Sequence, residues 1–206
     1  VLSGIQITSL DTLAQAITTL HKTYSIPHVI ITSVQLSKLL PSPANPVPSS
    51  PSTQSLLTII GSTITSTGQP RLFRIDVPAI DCFFSGTGDM FAALTVARLR
   101  EAVFADPDAN LRNKRSWVPD DSVPATELPL AKATEKVLAS MHNVLEKTIE
   151  ARDKELAATE AFVGEDVETK KKEHLRRTKA AEVRLVRNAR FLRTPTVEFK
   201  AQDWHV

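Results

Sequence analysis

A single cysteine, Cys82, excludes an internal disulfide framework and fits a reducing compartment. It reads as a buried core residue rather than a reactive thiol. No apolar run approaches the ~20 residues of a membrane span. A secretory leader is not indicated, because Leu2 to Thr8 is followed by polar residues rather than a long apolar block. Charge of one sign is also scarce: 25 Lys+Arg against 23 Asp+Glu leave +2, too little to argue for nucleic acid. There is no Walker-type phosphate loop, no Cys/His metal cluster, no Gly-x-Ser-x-Gly elbow and no Gly-x-Gly-x-x-Gly opening a βαβ unit. Five scattered histidines support neither a zinc site nor a catalytic triad, and no internal repeat is evident. What these absences leave is a soluble, intracellular type of chain. Its 206 residues, 42% hydrophobic and 23% charged, suffice for one domain with a real core or for part of a larger one.

The most informative stretch runs from Cys82 through Phe83-Phe84-Ser85-Gly86-Thr87-Gly88-Asp89-Met90 to Leu94. Apolar residues enter a Gly-x-Gly turn, an aspartate follows, and an alanine-rich helical pattern begins. The first amides of a helix have no intrahelical partner, and the dipole there favours negative charge. Two glycines let an anion approach the main chain closely, so the turn is a candidate phosphate or oxyanion cradle. A carboxylate beside it can take a proton from an attacking hydroxyl. An ordinary helix start with a capping aspartate is the competing reading.

Around this stretch the chain reads as alternating elements. Ser9 caps a helix whose apolar face is Leu13, Ala16, Ile17 and Leu20. Val29-Ile30-Ile31 reads as a strand buried on both faces, ending at Thr32-Ser33. Helix followed by buried strand is the grammar of a doubly wound α/β sheet, whose ligands sit at the carboxyl ends of strands. Thr32 and Ser33 stand at such an end, where a plain strand-to-loop transition also accounts for them. Residues 41–53 form a Pro/Ser-rich loop. Strands over 56–62 and 72–77 face each other across Gly68-Gln69-Pro70, and Pro78 ends the second. A helix follows Asp89 to about Arg100, then a polar insertion over 105–129 holding the isolated Trp117. Leu130 to about Arg152 is a strong helix with a stripe of Val137, Leu138, Met141, Val144, Leu145 and Ile149. His142 and Asn143 read as helix-surface or packing residues. The charged stretch 153–179 reads as a solvated helix face, since no aromatics interleave with its cations for base stacking. Residues 180–192 regain apolar spacing, and 196–201 alternate like a terminal strand.

The Gly86-Thr87-Gly88-Asp89 turn and the Phe-Ala-Ala after it resemble the signature of pyridoxal kinases, a branch of the ribokinase-like superfamily. The resemblance covers most of residues 1–100, 130–152 and 180–201. It implies a three-layer α/β/α ribokinase-like fold, of which this chain is the C-terminal portion of a single kinase domain. Val1-Leu2-Ser3-Gly4 is similar to the Leu-Ser-Gly that follows an acidic motif in that family, so the N-terminal half, with most of the vitamin-binding contacts, is expected to lie outside it. It further implies that Asp89 is the catalytic base and also touches the substrate, with Gly86, Thr87 and Gly88 forming the anion hole. Thr32, Ser33, Ile80, Phe84, Gly86, Thr87 and Leu145 are implied nucleotide contacts. For Ile80, Phe83 and Phe84, core packing accounts for the residues equally well. The implied reaction is ATP-dependent phosphorylation of the 5′-hydroxymethyl of pyridoxal, pyridoxine or pyridoxamine, in salvage of pyridoxal 5′-phosphate. Mg2+, and a monovalent cation such as K+, would accompany ATP. A homodimer at full length, no nucleic-acid or membrane partner, and a cytoplasmic or also nuclear location complete the expectation. The family is similar in its closing Glu-x-Arg-Leu-Val helix and strand. Two alternatives stand: a ribokinase-like kinase of a sugar or of hydroxymethylpyrimidine, and an inactive truncated fragment.

Overall fold

The computed structural model describes residues 2–35, 39 and 55–204. The Pro/Ser-rich loop expected at 41–53 lies outside them. The chain divides into two compact units. The first comprises Val1–Ala79, Val96–Glu135 and Glu198–Val206; the second comprises Ile80–Thr95 and Lys136–Val197.

The first unit is a four-stranded sheet in the order β1-β2-β3-β4 with helix α1, Leu10–Tyr24, packed on it. Ser9 Oγ accepts the Thr12 amide and Thr12 Oγ1 accepts the Ser9 amide, a reciprocal cap that fixes the start of α1. Its buried face is Leu13, Ala16, Ile17 and His21. β1 is His28–Val34, β2 Leu56–Ile64, β3 Pro70–Pro78 and β4 Gln202–Asp203, and every pairing is antiparallel. The alternation read as a doubly wound grammar therefore surrounds an open antiparallel sheet among the described residues. The strand buried on both faces is β2, where Thr58 to Thr63 are all buried, and not β1. Among the described residues β1 pairs on one side only, with β2, and apart from the buried Val29 its residues are half-buried or exposed.

Leu13, Ile17, Val29, Ile60 and Trp204 form one buried cluster of this unit. Trp204 reaches it because β4 adds to β3 at Phe73 and Arg74, one step beyond the alternating run 196–201. That run is not a strand, which corrects the expectation. The Ala201 amide donates instead to Oε1 of the buried Glu135 at 2.9 Å, and Lys200 Nζ reaches Oε2 at 3.3 Å. Phe73, fully buried, pairs across the sheet with Gly61 and lays its ring over it.

Segment 105–129 folds into three short 3-10 turns, Ala109–Asn113, Arg115–Trp117 and Ala125–Glu127, and is fastened to the hairpin. Arg71 donates to the carbonyls of Asp120 (2.7 Å), Ile64 (3.1 Å), Pro119 and Val123 (both 3.3 Å). Asp121 accepts from the amide and hydroxyl of Ser66 at 2.8 and 2.5 Å. His28 Nε2–H donates to the carbonyl of Ser116 at 2.7 Å while its Nδ1 accepts from Thr63 Oγ1 at 2.9 Å. The half-buried Trp117 follows Ser116, and both residues have left-handed backbones (φ 54° and 55°). His21 mirrors this arrangement: Nδ1–H donates to Ile26 at 2.7 Å and Nε2 accepts from Ser62 Oγ at 2.8 Å.

In the second unit, α3, Pro129–Ala158, supplies from Lys136 onward a stripe in which Val137, Leu138 and Val144 are buried and Met141, Leu145 and Ile149 half-buried. His142 pairs on the helix surface with Glu146 at 3.1 Å. The charged stretch is split: α3 runs to Ala158, and α4, Val167–Ala180, restarts with Asp166 accepting the Thr169 amide. On α4, Glu173 binds Arg176 and Arg177 at 2.8 and 2.7 Å, and these guanidinium bonds hold its carboxyl far below the usual carboxylate range. Glu182-Val183-Arg184-Leu185-Val186, expected as a helix, is a series of turns, and helix α5 is the short Ala189–Arg193. Arg184 explains the irregular path. Its amide donates to Thr148 Oγ1, its guanidinium reaches Glu155 at 2.5 Å, and its carbonyl accepts from the Asn188 side chain. Among the described residues no helix is long and apolar enough to cross a membrane.

Two predictions follow from the first unit. A Cβ at Gly61 would lie 2.0 Å from Phe73 Cζ, so Gly61→Ala is expected to cost about 3 kcal/mol in urea unfolding. Adding Phe73→Leu should restore much of it; a silent Gly61→Ala would refute the contact. Burial holds the pKa values of His21 and His28 below their ordinary 6.5. Arg71 lies near His28 and lowers it further, and Asp120 and Asp121 face that guanidinium. The unfolded chain therefore binds more protons in acid. Stability should be full above about pH 6.5 and fall as pH drops through the folded values. His28→Gln should flatten that slope in denaturant midpoints measured across the range.

Candidate functional site

The Gly-Thr-Gly-Asp stretch lies in the second unit, at the start of helix α2, Thr87–Ala105. The Met90 amide donates to the Gly86 carbonyl at 3.1 Å, closing the first helical turn. The amides of Thr87, Gly88 and Asp89 precede that bond, so the helix offers them no acceptor. Gly86, at φ +79°, has the left-handed backbone that glycine adopts without strain. Gly88 differs. Its φ is not left-handed, and a Cβ there would meet nothing within 4 Å. Neither backbone nor packing requires glycine at 88, although glycine in a helix costs about 1 kcal/mol relative to alanine. What its missing side chain leaves is open space against the amides. Asp89 is exposed and follows directly, while Met90 behind it is buried.

Segment 79–86, which leads into the turn, has no regular structure. Ile80 and Phe84 are half-buried, but Phe83 is 82% exposed, so core packing does not account for it. Cys82 is half-buried rather than a core residue, because its sulfur faces the Arg152 guanidinium at 2.9 Å. Sequence reasoning gave Arg152 no role: it stands at the edge of a charged run, 70 residues away. Leu145 is half-buried on α3 in the same unit as the turn.

Thr32 and Ser33 fall in the first unit. The β1–β2 register shifts between Ile31 and Val34, so both residues leave the ladder in a bulge, and β1 resumes at Val34. Ser33 is left-handed at φ +60°, uncommon outside glycine, and both side chains are exposed. Bulges re-aim side chains and are frequent beside active sites. No three His, Cys, Asp or Glu side chains among the described residues are gathered to hold a metal ion.

No protein-family model matches the chain. A Schizosaccharomyces pombe protein named "putative pyridoxal kinase" is 31% identical over 148 residues, 72% of this chain and 38% of that protein. The solved pyridoxal kinase from Leishmania donovani in complex with ADP superposes on 99% of this chain and 48% of its own, with a TM-score of 0.59 and 18% identity. Its complex with ADP and pyridoxamine gives a TM-score of 0.57 at 19% identity. The resemblance to pyridoxal kinases is thus present in sequence and in fold. The fold is the ribokinase-like α/β fold, and the chain spans less than half the length of these relatives.

The two glycines should separate cleanly. Gly86→Ala forces a side chain into a left-handed backbone and should cost about 1 kcal/mol, whereas Gly88→Ala should be neutral or stabilising by up to about 1 kcal/mol. Thermal unfolding of both variants checks this. A destabilised Gly88→Ala would reveal a packing role and remove the argument from open space.

Proposed function

We propose that this chain carries the phosphate cradle and the catalytic base of a pyridoxal kinase. The observation that supports the reading most directly is Gly88, a glycine in a helical turn that nothing in the fold demands, flanked by open amides and an exposed aspartate. The relatives add the ligand chemistry, since the Leishmania donovani enzyme binds ADP, and ADP together with pyridoxamine.

In this mechanism the amides of residues 86–89 hold the charge that develops on the transferring phosphoryl group. They are fixed before the reaction begins, because the Gly86 turn and the Met90 bond set their direction. Asp89 takes the proton of the 5′-hydroxymethyl of pyridoxal, pyridoxine or pyridoxamine as the oxygen attacks the γ-phosphorus of ATP. The products are the 5′-phosphate and ADP, as salvage of pyridoxal 5′-phosphate requires. Ile80, Phe84 and Leu145 contact the nucleotide from the second unit. Thr32 and Ser33, which leave the β1 ladder in a bulge, are hydroxyl candidates for a nucleotide contact in their own unit. Magnesium and a monovalent cation such as K+ would accompany the nucleotide and offset the charge of its phosphates. Among the described residues no three His, Cys, Asp or Glu side chains are gathered to hold either ion. The full-length protein works as a homodimer in the cytoplasm.

The test is ATP-dependent phosphorylation of pyridoxal by this chain and by a form extended to the span of its relatives. In whichever form is active, Asp89→Asn should lower kcat by about 100- to 10,000-fold while ATP still binds. Near-normal turnover in that variant would remove Asp89 as the base. A folded extended protein that phosphorylates a sugar or hydroxymethylpyrimidine but not pyridoxal would redirect the substrate assignment.

A further inference from the structure

The irregular segment 79–86 poses a physical problem. It carries Ile80 and Phe84 and delivers Gly86 to the helix start, yet it has no ladder or helix to hold it. Asp81, Phe83 and Ser85 are exposed, so its side chains bury little. Its two ends are held, Ala79 N–H donating to the Ser55 carbonyl at 2.8 Å and the Gly86 carbonyl accepting from Met90 at 3.1 Å, but the one bond within its middle, Cys82 N–H to the Ile80 carbonyl at 2.9 Å, bends the chain without tying residues 80–85 to another element. The tie comes from α3. Arg152 Nη1 donates to Cys82 Sγ at 2.9 Å.

That guanidinium is well placed to act as a fixed donor. Its Nε and Nη2 both bind Asp153 Oδ1, at 2.8 and 2.7 Å, which leaves Nη1 pointing to the sulfur. The side chain is only 23% exposed, and the helix that carries it is anchored by the buried Val144 and Thr148 one to two turns earlier. A planar guanidinium held on one edge presents its remaining N–H groups in a set direction, which a lysine ammonium does not. Cys82 lies four residues before Gly86, so fixing its sulfur limits the paths by which the backbone can enter the turn.

We infer that Arg152 is a positioning residue for the phosphate cradle, acting through Cys82 to hold segment 80–86 in the geometry that binds nucleotide. The inference rests on the kinase reading above for the identity of the ligand, but not for the tether itself. Residue 152 touches no ligand in this account; it sets where Ile80, Phe84 and Gly86 stand.

The experiment measures two things on the same variants: amide hydrogen exchange without nucleotide, and the Kd for a nonhydrolysable ATP analogue. Arg152→Ala and Cys82→Ala should each speed exchange within 80–86 and weaken binding by about fivefold, the worth of one hydrogen bond. The double variant should be no worse than either single one, because both remove the same contact. Cys82→Ser keeps an acceptor and should stay near the parent, while Arg152→Lys should recover only part of the loss. Thermal midpoints identify any variant that has lost its fold, and the serine and lysine variants carry the comparison in that case. Unchanged exchange at 80–86 overturns the tether. Faster exchange with unchanged Kd overturns the positioning role alone. A parent chain and extended form that bind no nucleotide overturn the kinase reading, and the positioning role with it.

Discussion

Phe73 lies against the β2 backbone because residue 61 has no side chain. Much of the first unit depends on that contact. With Gly61 opposite it, the phenyl ring is fully buried at the centre of the β2–β3 pairing, which runs in unbroken register from Leu56–Pro78 to Ile64–Pro70. β2 is thereby the covered strand, β1 adds on one side and β4 beyond β3. The Trp204 amide donates to the Leu72 carbonyl at 3.3 Å, and its ring joins Leu13, Ile17, Val29 and Ile60 on the face of the sheet opposite Phe73. At the turn end of the hairpin, Arg71 gathers four carbonyls, two of them from the Pro119–Asp120 pair. A backbone segment without ladder bonds needs such donors, since buried carbonyls left unpaired are costly.

Glycine does a different job at the helix start. Gly61 admits a ring and Gly86 admits a turn, but Gly88 admits nothing that the chain itself supplies. A residue that weakens a helix without a structural return points outward, to something that needs the backbone bare. Helix N-termini bind anions because their amides are unpaired and their dipole is positive there. In the proposed mechanism the exposed Asp89 beside such amides is the group that accepts the proton of the attacking hydroxyl. Structure and chemistry meet at the same four residues.

Much of this was legible in the sequence. The α1 cap at Ser9, the facing strands across Gly68 and the helix after Asp89 follow from local rules of capping, turn and periodicity. Their outcome depends on neighbours a few residues away. The glycine turn into that helix was legible for the same reason, as four consecutive residues. What was hidden depends on distant partners. Nothing in Val29-Ile30-Ile31 says that its strand pairs on one side only among the described residues, or that Thr32 and Ser33 leave the ladder. The alternation of 196–201 is a true pattern, but the buried Glu135 carboxylate takes the Ala201 amide before a strand can form. Glu182 to Val186 carries helix-like spacing, yet Arg184 is held at three points that fix turns instead. The partnership of Cys82 with Arg152 spans 70 residues and has no sequence signature.

In the proposed function the bare amides of the Gly-Thr-Gly-Asp turn receive nucleotide phosphate. The most direct measurement is an amide nuclear magnetic resonance titration of the 15N-labelled protein with a nonhydrolysable ATP analogue. The account predicts saturable shifts that are largest at Thr87, Gly88 and Asp89. Saturable binding that leaves those three amides unmoved, with the shifts centred elsewhere in the chain, would contradict it.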